Sequence, residues 1–198
     1  MSSLRDTDAI ALAERILVLV DEGARTATYK LAVLSALMDL CLEKTGALGE
    51  PPDTVTTREL AEKVIALYWP QAVPALDLGR DSVLRQNTHG QAEIVGAIAE
   101  FRDRLTVEPR AALARARASA PTEWRRLVDR VEWKLIEMPL PKLQRVGGVR
   151  DELLYEIGWD DEGRAPRRAE VVAYQRGGTS SFDNRVHLRV GVVTRSCD

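Results

Sequence analysis

Two hydrophobic periods divide this chain. Up to about residue 149, apolar residues recur every third or fourth position; over the last fifty residues they recur every second position. A chain patterned this way buries helical stripes against one another and then adds a short sheet. Ile10, Ala13, Leu17 and Val20 form the first stripe, in a helix that Asp6 or Asp8 can cap and that runs to about Glu22 before Gly23. A second helix is expected from residues 26–28 to about Lys44. Its stripe is Leu31, Leu34, Met38 and Cys41, widened by Leu37 and Leu40, which is the pattern of a central helix packed on several sides. Residues 46–55, with Pro51-Pro52, read as a loop. Thr56 and Glu59 form a capping box for a third helix carrying Leu60, Val64, Leu67 and Tyr68, which Pro70 ends.

Residues 70–89 read as a loop with short turns. A helix over 91–105 presents Ile94, Val95, Ile98, Phe101 and Leu105. Another follows over 110–118, and Pro121 opens a further one whose stripe is Trp124, Leu127, Val131 and Leu135. The run Met138-Pro139-Leu140-Pro141 breaks the pattern. Strands are then expected over 153–157, 170–175 and 185–194; in the last, Val186, Leu188, Val190 and Val192 alternate with His187, Arg189 and Gly191. The expectation is an α+β fold: five or six helices over residues 1–149 and a small antiparallel sheet over 150–198, packed as a subdomain or as part of one domain.

With 198 residues, 45% hydrophobic and 29% charged, the chain can build a core without disulfides or metals. Its two cysteines, Cys41 in an apolar run and Cys197 near the end, supply neither a disulfide framework nor a zinc signature. No secretory pattern opens the chain, and the apolar run from Leu31 to Leu42 is interrupted by Asp39 and too short to cross a bilayer. A reducing cytoplasm, with no membrane partner, is the expected setting.

Charge is unevenly spread. Residues 1–100 hold 9 basic and 15 acidic side chains, whereas residues 101–150 hold 12 basic and 6 acidic ones, all the basic ones arginine except Lys134 and Lys142. Such a bias suits an anionic partner, and it suits equally a solvated arginine-rich helix face. Arg115, Arg117, Arg125, Arg126 and Arg130 are the candidates for phosphate contact. Trp124 and Trp133 lie among them, but Trp124 shares its stripe with Leu127 and Val131, which marks a core residue.

The catalytic motifs are incomplete. His89 and His187 have no partner at a metal-ligand spacing. Gly147-Gly148 and Gly177-Gly178 lack the lysine and hydroxyl residue of a phosphate loop and read as turns. Asp160 or Asp161 followed by Glu170 resembles a metal-nuclease spacing, but Val172 occupies the position of the needed lysine. No enzyme activity and no cofactor are expected of this chain.

Several segments resemble the amino-terminal region of bacterial HNH-endonuclease-like proteins of restriction type. They are the stretch from Ala24 through Thr28-Tyr29-Lys30 to Met38-Asp39-Leu40, then Leu67-Tyr68-Trp69-Pro70, Leu84-Arg85-Gln86-Asn87, and Met138 to Gln144. The resemblance implies work on DNA, with the nuclease part and its His-Asn-His site following residue 198. On that basis Tyr29, Lys30 and Gln86 join the arginines as candidate DNA contacts. Tyr29 can instead pack the helix entry, Lys30 can be solvated and Gln86 can satisfy a turn. The expected role is a non-catalytic DNA-recognition or positioning module. The alternative is a scaffold for a nuclease domain or partner protein that never touches DNA. Either role admits a homodimer.

Overall fold

The computed structural model describes residues 27–47, 49–72, 89–105, 112–146, 149–150, 154–159 and 166–189. The helix expected over residues 6–22, most of the loop at 70–89 and the end of the last strand lie outside the described residues. The architecture is α+β and mainly helical, as the two periods imply.

Helix α1 is Ala27–Lys44. Strand β1, Thr54–Thr56, leads directly into α2, Thr57–Tyr68. The capping box is formed in full: the Glu59 N–H donates to Thr56 Oγ1 at 3.2 Å, and the Thr56 N–H donates to Glu59 Oε2 at 2.8 Å. Two N–H groups that the first helical turn cannot satisfy internally are thereby satisfied. Pro70 does not stop the chain abruptly, because Trp69–Ala72 continue as a 3-10 turn. Helix α3 is His89–Asp103, α4 is Leu113–Ser119 and α5 is Pro121–Glu137. The run around Pro139 was expected only to break the helix; it forms the short helix α6, Pro139–Leu143, with proline where the backbone donor is dispensable.

Helix α2 lies at the centre, against α1 on one side and α5 on the other, and α5 also packs on α3. Leu60, Ala61, Val64 and Ile65 of α2 meet Val128, Val131, Leu135 and Ile136 of α5 in one continuous core. Trp69, Phe101 and Trp124 close one end of it, with ring centroids about 6 Å apart and inclined to one another. Arg102 is buried there, its guanidinium 4.1 Å from the Trp69 ring centre and its Nη1 donating to the Trp69 carbonyl at 2.5 Å.

The stripe expected on α1 is rotated. Its buried residues are Val33, Ala36, Leu37, Leu40 and Cys41, whereas Leu31, Met38 and Leu42 are 45%, 66% and 72% exposed. Because α1 is apolar nearly all round, periodicity could not choose which face meets α2.

A three-stranded antiparallel sheet has the order β1–β5–β4, where β4 is Tyr155–Ile157 and β5 is Arg185–Leu188. Val55 faces Val186, and Tyr155 faces Leu188. A two-residue pair, β2 (Arg145–Val146) and β3 (Val149–Arg150), precedes it. Gln144 is buried and sets β4 in place: its amide donates to the Tyr155 carbonyl at 2.7 Å, and its oxygen accepts from the N–H groups of Leu154 and Tyr155 at 2.5 and 3.1 Å.

Two expectations are corrected here. Residues 170–175 are not a strand: Arg168–Gln175 form helix α7, with Val171 buried and Tyr174 and Gln175, three and four positions on, turned inward. Gly177, at φ +73°, ends that helix, and the N–H groups of Gly177 and Gly178 donate to the Tyr174 and Ala173 carbonyls. The place beside β5 is taken instead by β1, from a segment expected to be loop. With Glu170 on a helix, the nuclease-like spacing at Asp160, Asp161 and Glu170 loses the strand it required.

Candidate nucleic-acid interface

Helices α4 and α5 meet at Ala120, where the chain turns and Pro121 starts the second helix. Helix α4 is alanine-rich, packs on α5 and buries Ala116. In α5 the residues Trp124, Leu127, Val128, Val131, Leu135 and Ile136 form the buried stripe, which forces the intervening positions outward. Arg125, Arg126 and Arg130 are exposed as a result, and Arg115 and Arg117, on either side of the buried Ala116 in α4, are exposed too.

They do not gather on one flat face. Arg117 and Arg125 line a groove of about 940 Å³ between α1, α2, α4 and α5, floored by Leu40, Ala66, Leu113 and Trp124. Arg117 also lies over the Trp124 ring, 5.6 Å from its centre, and its Nη1 reaches Glu62 at 3.3 Å. Arg130 is on the other flank of α5, where it pairs with Glu100 of α3 at 2.8 Å. Arg126 is exposed on α5 beside Arg125. Arg115, Arg125 and Arg126 have no carboxylate partner among the described residues. The groove's own acids are matched: Glu59 pairs with Lys44 at 2.7 Å, and Glu43 pairs with Lys63.

The remaining candidates lie elsewhere. Tyr29 and Lys30 are half-buried in the first turns of α1, whereas the groove is lined by Leu40, Glu43 and Lys44 of that helix, roughly 20 Å further along at 1.5 Å per residue. The structure does not bring them to the arginines. Gln86 is outside the described residues. Trp124 is core, as its stripe indicated, and Trp133 is half-buried beneath Arg168. Among the described residues, no group of three His, Cys, Asp or Glu could hold a metal ion.

Residues 8–140 match the family described as Domain of unknown function (DUF8808). The chain belongs to that family. No curated protein and no solved structure matches it. The DUF8808 region takes in α1 to α5 and therefore every arginine of the α4–α5 corner. It also contains β1, whose strand partner β5 lies outside it.

The most unusual polar cluster joins the DUF8808 region to the segment beyond it. Glu132 of α5 is fully buried and accepts from Thr57 Oγ1 at 2.7 Å, Gln175 Nε2 at 3.0 Å and Arg58 Nη1 at 3.4 Å. Arg58 also holds Asp129 at 2.8 Å. Burial pushes the Glu132 carboxyl above the ordinary glutamate range, against the pull of Thr57, Gln175 and Arg58. Burial, helped by the nearby Glu132 charge, pushes the Tyr174 phenol up to about 12, and Asn184 donates to its oxygen at 2.7 Å. No sequence motif marks this cluster. Its one sequence signal is a glutamate four positions after Val128, in the buried arc of α5.

Proposed function

We propose that the chain is a non-catalytic module that recognises or positions DNA, acting beside a nuclease part of HNH type in a restriction-like bacterial system. The observation that carries this reading is the trio Arg115, Arg125 and Arg126, exposed around the α4–α5 corner with no carboxylate among the described residues to neutralise them. Guanidinium groups in that state suit phosphate oxygens. Arg117 and Arg130 can join them by exchanging an exposed glutamate for a phosphate, because exposed ion pairs contribute at most about 1 kcal/mol. The resemblance to HNH-type amino-terminal regions supports the same direction. Contacts of this kind to phosphate position a protein on a duplex without reading its sequence. No helix among the described residues is long and apolar enough to cross a membrane, and the buried free thiol of Cys41 fits a reducing cytoplasm.

A second reading, a scaffold that holds a nuclease or a second subunit without touching DNA, is favoured by the exposed Leu31, Met38 and Leu42 of α1. Fluorescence anisotropy of a labelled duplex at low and moderate salt separates the two. On the DNA reading, affinity falls steeply with salt. Replacing Arg115, Arg125 and Arg126 by alanine then lowers the log–log salt slope by about 3, roughly 1 for each phosphate that is no longer neutralised. A folded protein that does not bind at low salt removes the DNA reading and leaves the scaffold.

A further inference from the structure

The groove between α1, α2, α4 and α5 has two walls of different charge. On the α1–α2 wall, Glu43, Glu59 and Glu62 are balanced by Lys44, Arg58 and Lys63. On the α4–α5 wall, Arg117 and Arg125 line the groove with no acid beside them among the described residues. Arg117 reaches across to Glu62 at 3.3 Å, and Arg125 has no carboxylate partner. Leu40 and Trp124 are buried beneath the groove and Leu113 is half-buried, while Ala66, Ala114 and Ala118 are exposed along its sides and leave it open. Along α2 the lining runs from Arg58 to Ala66, roughly 12 Å at 1.5 Å per residue, or about two helical turns.

We infer that this groove receives a short amphipathic helix of a partner protein, aliphatic on the side that meets Leu40, Ala66 and Leu113 and acidic on the flank that meets Arg117 and Arg125. A helix laid in a groove by its apolar side is a general mode of peptide recognition. The charges decide which flank is acidic. On the α1–α2 wall Glu59 already holds Lys44 and Glu43 already holds Lys63, so the call for anions comes from the α4–α5 wall. The exposed Arg117–Glu62 pair is weak enough to give way to a better-placed carboxylate. Nucleic acid suits the groove less. A duplex carries its phosphates on a convex surface that does not reach the buried Leu40. Trp124, the one aromatic ring in the lining, lies beneath Arg117, so a base finds no open face to stack on. Arg115 and Arg126 lie outside the groove, and the inference does not depend on the DNA reading.

The test uses the full chain, labelled with nitrogen-15, and two stapled helical peptides. Both have the same leucine–alanine face; one carries glutamates on its flank and the other carries lysines in the same places. The glutamate peptide is expected to give saturable shifts centred on the amides of Ala66, Ala114 and Ala118 and on the Trp124 indole N–H. The lysine peptide is expected to bind about tenfold or more weakly, and Arg117→Glu with Arg125→Glu is expected to reverse that order. Ala66→Trp, at an exposed position, fills the groove without touching its charges and is expected to abolish the shifts. The inference is overturned if the glutamate peptide gives no saturable shifts there, if the two peptides bind equally, or if either variant binds as the natural chain does. Duplex DNA titrated into the same sample is expected to move the Arg115 and Arg126 amides. If it moves the groove signals while the glutamate peptide does not, the groove belongs to nucleic acid; if it moves nothing, the DNA reading fails and the groove result stands on its own.

Discussion

Glu132 has a measurable signature because, among the described residues, it is the one fully buried carboxylate. Its folded pKa is raised, chiefly by burial, above the ordinary value of 4.5. The folded state therefore holds this proton more tightly than the unfolded state. Stability from this group is fully present below about pH 4.5 and is lost as pH rises through the folded pKa. Glu59 and Asp183 act in the opposite sense. Glu59 is held low against burial by Lys44 and Thr56, and Asp183 is held low by Arg185, so both cost stability only as the solution becomes acidic. The difference in melting temperature between the natural chain and Glu132→Gln isolates the buried group. It is expected to shift in favour of the natural chain on going from pH 8 to pH 5; a difference that stays flat removes the raised pKa. Residues of this kind are poorly legible in sequence. Thr56 and Glu59 announce themselves through a spacing with one physical meaning, the capping box. Glu132 is defined by Thr57 and Gln175, which lie 75 and 43 positions away.

The elements of the helical part were legible wherever one face was apolar and the other polar. Helices α2 and α5 have such faces and lie where their stripes placed them. Helix α1, apolar nearly all round, lies where its run predicts, with Leu37, Leu40 and Cys41 of the expected set buried and Leu31 and Met38 exposed. At α7, Val171 and Val172 favour extended structure and predict a strand, and tertiary packing overrides them: Val171, Tyr174 and Gln175 face inward together only at helical spacing. Strand β1 was invisible because three residues carry no period, and the proline pair before it favoured a loop. Two element-scale consequences can be measured. Thr56→Ala removes the acceptor for the Glu59 N–H and is expected to cost about 1 kcal/mol, or roughly 2–4 °C in melting temperature. Gln144→Ala leaves the Leu154 and Tyr155 N–H groups and the Tyr155 carbonyl without the side chain that satisfies them. A loss of about 2–4 kcal/mol is expected, since each orphaned buried group costs about 1–3 kcal/mol and partial rehydration offsets part of the sum. Urea titration gives both values, and a Gln144 variant of natural stability would show that β4 does not depend on that amide.

At the scale of the whole molecule, the two periods in the sequence suggest a boundary near residue 150, yet several hydrogen-bonded ties cross it. β1, inside the helical half, is hydrogen-bonded along its length to β5 near the far end of the chain. The Thr57 N–H that opens α2 donates to the Asn184 carbonyl at 2.9 Å. Gln175 of α7 reaches both the Asp129 carbonyl and the Glu132 carboxylate of α5 at 3.0 Å. Separating the sheet from the helices would strip β1 of its only described strand partner and leave Glu132 short of a donor in a buried site, where each uncompensated polar group is costly. The sheet and the central helices should therefore open together. Native-state hydrogen exchange under increasing urea tests this directly. The slowest amides of β4 and β5 are expected to merge with those of α2 and α5 into one global unfolding curve with a common slope. A sheet that exchanges through its own opening, several kcal/mol below the helices, would instead make residues beyond 150 a separate body. In that event the ties through Asn184 and Gln175 would be surface contacts with little hold on the DUF8808 region.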